Sequence, residues 1–171
     1  PPELHRQAPV LGDIALSCKD LNVPKLDPFG VSLQDVAFEL RAGEIVGIAG
    51  VSGNGQQALM AVLSGEDPRA RQGSVHLFGH VISRATPRQR RQMGLPSVPE
   101  ERLGRGAVPT MSLAQNTLLT RTDAIGPGGW LRSAGITGMA AQLIERYKVK
   151  AGGPHALAKS LSGGNLQKFI M

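Results

Sequence analysis

The 171-residue sequence predicts an α/β fold in which a phosphate-binding loop joins a strand to a helix. Residues 44–49 form a short apolar run without polar alternation, which is typical of a strand covered on both faces. Glycines then recur through residues 50–57, which we name the glycine loop. Apolar residues follow at helical spacing from Ala58 to Leu63, and Gly65 is the predicted C-terminal stop. Strand, loop and helix therefore occur in the order that a phosphate-binding loop requires.

Two further strands are predicted before the glycine loop. Val36, Phe38 and Leu40 alternate with other residues, as in a half-buried strand. The apolar-rich run at residues 14–18 ends in Cys18, which we expect to be a packed strand residue. Because Cys18 is the only cysteine of the sequence, no intramolecular disulfide is possible.

The glycine loop departs from the usual phosphate-binding pattern, because Gln56 and Gln57 stand where a lysine and a serine or threonine are expected. Backbone N–H groups and the positive end of the helix dipole bind phosphate without that lysine. Its loss removes a charge-assisted hydrogen bond of about 1.5–3 kcal/mol, which weakens binding by about one to two decades. Gln56 can still donate from its amide, and Gln57 can offer Mg²⁺ a carbonyl oxygen. A glycine-rich connection without a ligand is the alternative.

A second glycine motif lies near the end of the sequence, where residues 161–168 read LSGGNLQK. A small hydroxyl and unshielded backbone amides at a helix N-terminus can approach a phosphate closely. The motif resembles the signature motif of ATP-binding cassette (ABC) proteins, in the form carried by the second cassette of bacterial importers for simple sugars and nucleosides. We name residues 162–165 the signature turn. The alternative is Ser162 as a simple N-cap followed by two flexible glycines.

Residues 98–102, which we name the acidic segment, read VPEER and resemble the VPEDR segment of the same second cassettes. In the family, the matching position of Glu100 is usually a Q-loop glutamine that helps to hold Mg²⁺. A carboxylate there can meet Mg²⁺ directly or through water. An exposed acidic turn after Pro99 is the alternative. The resemblance covers nearly the whole chain from about residue 12.

A short helix with several arginines is predicted to begin at Pro87, with Thr86 as its N-cap. The helix contains Arg88, Arg90 and Arg91, and Arg84 lies just before it. Together with the net charge of +6, these arginines are compatible with a nucleic acid as a binding partner. The sequence offers only four Phe, one Trp and one Tyr for base stacking. We therefore predict a solvated arginine-rich helix and no nucleic-acid partner.

Helical patterns dominate residues 103–160. Residues 112–115 fit a capping box that opens a short helix, and apolar spacing from Ile136 to Tyr147 predicts a longer one. Helices after a β-rich first half predict a helical subdomain inserted into an α/β core. The predicted organisation is a linker at residues 1–11, an ATP-binding core at 12–102, the helical subdomain at 103–160, and the signature motif at 161–171.

The composition, with 41% hydrophobic residues, fits a globular core. No apolar run reaches the roughly 18 residues of a membrane-spanning helix, and the N-terminus lacks a signal peptide's apolar region. We therefore expect a cytoplasmic protein, peripheral on the inner face of the cell membrane. The four histidines have no zinc-like spacing with each other or with Cys18, so only Mg²⁺ is supported as a metal.

The resemblance implies a P-loop NTPase-like ABC cassette core with an antiparallel β portion and an inserted helical subdomain, incomplete at the C-terminus because Walker B would follow Met171. It implies ATP and Mg²⁺ as cofactors. The implied partners are a first ABC cassette, membrane permease subunits and, indirectly, a substrate-binding protein. The full-length protein is expected to be an ATPase that powers import of a sugar or nucleoside, whereas this chain alone is not expected to hydrolyse ATP. The alternatives are a non-hydrolytic scaffold half and an ABC-type ATPase acting on DNA or the ribosome.

The resemblance also implies two nucleotide half-sites and no catalytic residue within this chain. The first cradles one nucleotide with Gly50, Val51, Ser52, Gly53, Asn54, Gly55, Gln56 and Gln57. Glu100 is expected beside the Mg²⁺ of this half-site, with Gln57 as the other candidate ligand. The signature turn closes over a nucleotide held by the first cassette, with Ser162, Gly163, Gly164 and Asn165.

Overall fold

The structure, a computed structural model, describes residues 10–26, 28–119 and 133–171. The chain forms two compact units, Pro1–Pro96 and Ser97–Met171. The acidic segment therefore belongs to the second unit, together with the signature turn. Most of the predicted linker at residues 1–11 lies outside the described residues. The predicted boundary after residue 102 stays a prediction.

The first unit is built on a four-stranded antiparallel sheet with the strand order β2-β1-β3-β4. The strands are β1 (Ile14–Val23), β2 (Leu33–Arg41), β3 (Val75–Leu77) and β4 (His80–Val81). Two helices belong to the same unit, α1 (Gln56–Ser64) and α2 (Pro87–Gln92). The core is made of buried apolar side chains from the strands, from α1 and from the segments beside them: Leu16, Cys18, Leu21, Val23, Leu33, Leu59, Val62, Ala70, Val75, Leu77 and Ile82.

Both strands predicted before the glycine loop are confirmed. In β2, Val36, Phe38 and Leu40 are half-buried, whereas the residues between them are exposed. Cys18 lies in β1, where its thiol is free and only 1% of the residue is exposed. Burial raises the pKa of the Cys18 thiol to about 11, and the positive charge of Arg90 opposes that shift.

The strand predicted at residues 44–49 is wrong for this structure. These residues form no strand, and Ile45 is 98% exposed. An extended segment becomes a strand only when a neighbour satisfies its backbone N–H and C=O groups. Within the described residues, no strand pairs with this segment. Apolar composition alone therefore does not place it in a sheet.

Helix α1 ends at Gly65, as the sequence predicts. Gly65 has a φ of 86°, the left-handed conformation that favours glycine, and its N–H donates to the Val62 carbonyl oxygen. A Cβ at this position would lie 2.7 Å from the carbonyl oxygen of Ala85 and 2.8 Å from Nε of Arg90. Both the backbone conformation and the close contacts therefore require glycine here.

Arg90 corrects the prediction of a solvated arginine-rich helix. Arg84 and Arg88 are exposed, but Arg90 is only 1% exposed. Its Nη1 donates to the carbonyl oxygens of Val62 at 2.7 Å and Leu63 at 2.8 Å, in the last turn of α1. Its other donors bind the carbonyl oxygens of Ile82, Ser83 and Ala85. Burial lowers the pKa of Arg90 from its ordinary value. The side chain is thus a buried cation that joins α1 to the chain before α2.

Both predicted helix starts are confirmed by reciprocal hydrogen bonds. The Thr86 N–H donates to Gln89 Oε1 at 2.8 Å, and the Gln89 N–H donates to Thr86 Oγ1 at 3.3 Å, with Pro87 as the first residue of α2. Ser112 and Gln115 form the same pair of bonds at 2.8 and 3.1 Å. Each pair satisfies two backbone donors that a helix start leaves open.

The second unit is mainly helical within the described residues. It contains α3 (Leu113–Leu119), α4 (Ser133–Arg146), a short 3-10 helix (Ala158–Ser160) and α5 (Gly163–Ile170). The helix predicted from Ile136 is α4, and Tyr147 follows its last residue. One apolar cluster packs around α5, with Ala107, Leu113, Val149, Ala158, Leu161 and Leu166. A second cluster joins α3 to α4, with Ala114, Ile136 and Ala140.

Asn116 is a buried polar residue of α3 that the sequence did not single out. Its Nδ2 donates to the carbonyl oxygens of Val108, Met111 and Ser112, and its Oδ1 accepts from the Val108 N–H at 2.8 Å. These bonds fasten the loop at residues 108–112 to α3. This side chain thereby provides the acceptor for the Val108 N–H and a second donor for each of the three carbonyl oxygens.

Candidate functional site

The glycine loop ends on α1, with Gly55 at the N-cap and Gln56 as the first helical residue. Gly53 and Gly55 have φ values of 89° and 96°, which side chains rarely tolerate. Between them the loop closes a turn, because the Asn54 N–H donates to the Val51 carbonyl oxygen at 3.1 Å. The first turn of α1 carries no acidic residue. The chain therefore turns sharply into a helix N-terminus that does not repel an anion.

Gln56 folds back into the glycine loop. Its Nε2 donates to the Val51 carbonyl oxygen at 3.1 Å. The same nitrogen lies 2.5 Å from where a Cβ on Gly50 would stand. Gly50 therefore gives the amide the space that it occupies. A neutral side chain of the loop itself thus bridges it at the position of the usual lysine.

The remaining residues of the glycine loop are open to solvent. The exposed residues are Gly50, Val51, Ser52, Gly53, Asn54 and Gln57. Residues 50–57 lie in the first unit, whereas Glu100, the other predicted residue of this half-site, lies in the second. Their roles toward a nucleotide stay predictions.

The signature turn opens α5 in the second unit. Ser162 stands at the N-cap position, but its side chain makes no capping hydrogen bond. Its Oγ instead accepts from Asn165 Nδ2 at 2.9 Å. The Asn165 Oδ1 accepts from the Lys150 N–H at 2.9 Å, so both ends of this amide have protein partners. Asn165 thereby ties the turn to the chain that follows α4.

The glycines of the signature turn are exposed. A Cβ on Gly164 would have nothing within 4 Å. The first turn of α5 carries no acidic residue, and Leu161 and Leu166 anchor it on either side because both are buried. Backbone amides at an open helix N-terminus can bind an anionic oxygen. The geometry therefore suits a phosphate that approaches from solvent.

Arg102, the last residue of the acidic segment, contacts the same turn. Its Nη1 donates to the Gly163 carbonyl oxygen at 3.2 Å. The sequence placed Arg102 only within a motif and gave it no role. The one signal was its position in VPEER, because a contact between residues so far apart in the chain leaves no local pattern.

Glu100 is exposed, in the stretch of the acidic segment before Arg102. It belongs to the second unit, whereas Gln57 belongs to the first. Their shared role toward Mg²⁺ stays a prediction. In the part of the chain that the structure describes, no group of three or more His, Cys, Asp and Glu side chains could hold a metal ion.

None of the described helices is both long and apolar enough to cross a membrane.

The comparisons with known proteins agree on one family. The family model described as ABC transporter matches residues 33–171. The chain is 35% identical over 156 residues to the xylose import ATP-binding protein XylG of Pseudomonas fluorescens (strain Pf0-1), covering 91% of this chain and 29% of that protein. It is 35% identical over 161 residues to the nucleoside import ATP-binding protein NupA of Lactococcus lactis subsp. cremoris (strain MG1363), covering 93% and 31%. The chain thus spans about 30% of the length of these curated relatives.

Solved structures show the same fold. The ATP-binding cassette MJ1267 of an ABC transporter superposes with a TM-score of 0.68 at 18% identity, covering 92% of this chain and 63% of that one. The ATP-binding cassette MJ0796, solved as a dimer in a post-hydrolysis state bound to ADP and Pi, gives a TM-score of 0.61 at 15% identity, covering 91% and 66%. The predicted α/β cassette fold with an antiparallel β portion is confirmed.

Proposed function

The chain belongs to the ABC transporter family, and from this premise we propose that it is the second nucleotide-binding domain of an ATP-binding protein that couples ATP binding and hydrolysis to import of a sugar or nucleoside. The exposed signature turn at the N-terminus of α5 is the observation that carries the proposal. The names of the relatives support the class of cargo, because they import xylose and nucleosides.

The two predicted half-sites have separate roles in this proposal. The glycine loop cradles the phosphates of one nucleotide, with Gln57 and Glu100 toward its Mg²⁺. The signature turn closes over the terminal phosphate of a nucleotide held by a first cassette. Hydrolysis requires the whole ATP-binding protein, which works with membrane permease subunits on the inner face of the cell membrane and, through them, with a substrate-binding protein.

Gln56 limits the affinity of the glycine loop in this proposal. Its neutral amide replaces a lysine, and its bond to the Val51 carbonyl oxygen must be exchanged for one to phosphate. A lost charge-assisted bond weakens binding by about one to two decades. We expect wild-type chain to bind MgATP weakly in titration calorimetry, and a sub-micromolar Kd would contradict this.

A charge-restoring variant makes the test sharper. Gln56→Lys should tighten MgATP binding by about 10- to 100-fold, since it returns the cation to the loop. Gln92→Lys is the matched control, because it adds the same charge at an exposed position of α2. Equal tightening in both variants would show only a general electrostatic effect and would refute binding at the loop.

One observation favours a second candidate, a non-hydrolytic scaffold half that presents the signature turn and docks partners. The loop interior already holds the Gln56 amide, which satisfies the Val51 carbonyl oxygen without a ligand. The two candidates differ in the full-length protein after the phosphate-loop lysine of the first cassette is replaced. Residual nucleotide binding supports the proposed function, whereas loss of all binding supports the scaffold.

A further inference from the structure

We propose that Arg102 is a positioning residue, which orients and polarises the Gly163–Gly164 peptide of the signature turn toward the terminal phosphate. The inference rests on the proposed role of that turn. It assigns a function to the arginine of the acidic segment, which otherwise has none.

The first step is the contact itself. Arg102 Nη1 donates to the Gly163 carbonyl oxygen at 3.2 Å and lies 3.5 Å from Gln167 Oε1. Gly163 and Gln167 are four residues apart and therefore lie on the same face of α5, one turn above the other. One guanidinium nitrogen thus contacts two residues that are one turn apart in this helix.

The second step is chemical. The carbonyl group that accepts from Arg102 and the N–H of Gly164 belong to one planar peptide unit. A cation on the carbonyl oxygen polarises that unit, so its N–H becomes a stronger donor. Gly164 is exposed, and a Cβ there would have nothing within 4 Å, so its amide is accessible to a ligand. Arg102 can therefore act on a phosphate through this amide without touching the phosphate.

The third step is that glycine at position 163 leaves room for the guanidinium of Arg102. A Cβ on Gly163 would lie 3.2 Å from Arg102 Nη1 and 3.6 Å from Cζ. The 3.2 Å distance is tighter than ordinary van der Waals contact, so a Cβ at this position would require the guanidinium to shift by a few tenths of an ångström. The glycine therefore serves the arginine contact as well as exposing the backbone.

The fourth step is that Arg102 is held at its backbone. Its carbonyl oxygen accepts from the Ala107 N–H at 2.8 Å, and the Glu101 carbonyl oxygen accepts from the Gly106 N–H at 3.0 Å. At Gly106, a Cβ would lie 3.0 Å from Ile170 Cδ1, at the other end of α5. The segment at residues 101–107 therefore meets α5 at both ends, which fixes the backbone from which the exposed Arg102 side chain reaches Gly163.

The test uses steady-state ATP hydrolysis by the full-length ATP-binding protein. Arg102→Gln should lower kcat by about tenfold, as expected when a residue that orients a ligand group is removed. The KM for ATP should change less than about twofold and ADP affinity should stay the same, because only the terminal phosphate faces the turn. Arg102→Lys should recover part of kcat, since an ammonium can still donate to the Gly163 carbonyl oxygen.

Controls separate positioning from folding and from general charge. Arg88→Gln removes an exposed arginine of the first unit and should leave kcat at the wild-type value. Thermal unfolding of Arg102→Gln should match wild type. Either a wild-type kcat in Arg102→Gln or an Arg102→Lys variant no better than Arg102→Gln overturns the inference.

A variant of the turn itself distinguishes the inference from the function on which it rests. Gly164→Val puts a branched side chain beside the presented amide. If it abolishes hydrolysis while Arg102→Gln is unaffected, only the role of Arg102 is wrong. If both variants hydrolyse ATP at the wild-type rate, the proposed role of the signature turn also fails.

Discussion

Replacing Arg90 with methionine should destabilise the first unit severely. Methionine has a similar length but no donor, so the carbonyl oxygens of Val62, Leu63, Ile82 and Ala85 would lose bonds of 2.7–2.9 Å. The last turn of α1 has no basic residue of its own, so the variant also removes a cation that interacts favourably with that helix end. The effect is thus concentrated on the helix that begins at the glycine loop.

The magnitude follows from the burial of this cation. Each net hydrogen bond to a charged group contributes about 1.5–3 kcal/mol, but such bonds are not additive, and water can reach part of the freed backbone. A buried carbonyl oxygen that loses its donor costs about 1–3 kcal/mol, and with several affected and partly compensated the total is about 3–5 kcal/mol. We expect that cost here, which is a large part of the stability of an ordinary domain.

Cys18 supplies the assay, because it is the only cysteine and lies buried in the same core. Its labelling by a thiol reagent under native conditions requires opening of the first unit, so the rate reports that unit alone. At about 1.4 kcal/mol per decade, Arg90→Met should accelerate labelling by roughly 100- to 4000-fold. The matched control Arg88→Met, on the same helix but exposed, should change it less than about threefold. Equal rates in Arg90→Met and wild type would refute this account of Arg90.

Two further predictions concern other buried groups. Asn116→Leu should cost about 1–3 kcal/mol in urea unfolding, since it leaves the Val108 N–H unpaired and removes one of two donors from three carbonyl oxygens. Gln142→Leu, on an exposed position of α4, should cost under about 0.5 kcal/mol. Similar losses in both variants would contradict the role of Asn116. The Cys18 thiol, with a pKa of about 11 against an ordinary 9.0, releases its proton first in the unfolded chain. Its contribution to stability is therefore complete below pH 9 and is lost as the pH rises toward 11. The free energy of unfolding of the wild type should fall in that range, and Cys18→Ala should make this fall less steep. An unchanged slope in Cys18→Ala would contradict the burial of the thiol.

The sequence predicted best those features whose partners are close in the chain. The N-cap predicted at Thr86 and the capping box predicted at Ser112 are both confirmed, and each joins residues three apart. The alternation in β2 and the stop at Gly65 are equally local. Local patterns of this kind have few alternatives, because side chain and backbone can meet in only one way over three or four residues.

The sequence failed where the partner is distant. Arg90 binds carbonyl oxygens up to 28 residues away, so its spacing with three other arginines resembled a solvated face. The apolar run at residues 44–49 resembled a buried strand, but burial needs a neighbouring strand that the described residues do not provide. In both cases the residue types indicated which environment the side chains prefer, but the environment itself depends on residues that are distant in the chain.

The glycine loop and the signature turn, and with them the family, were determined by the sequence alone, because their glycines encode backbone conformations and close approaches that few other residues allow. Only the tertiary structure decided what these motifs touch. It folds Gln56 onto the Val51 carbonyl oxygen, and it brings Arg102 to Gly163 across 61 residues. The physical reason is that a hydrogen bond between distant residues depends on the packing of every element between them, which no local pattern records.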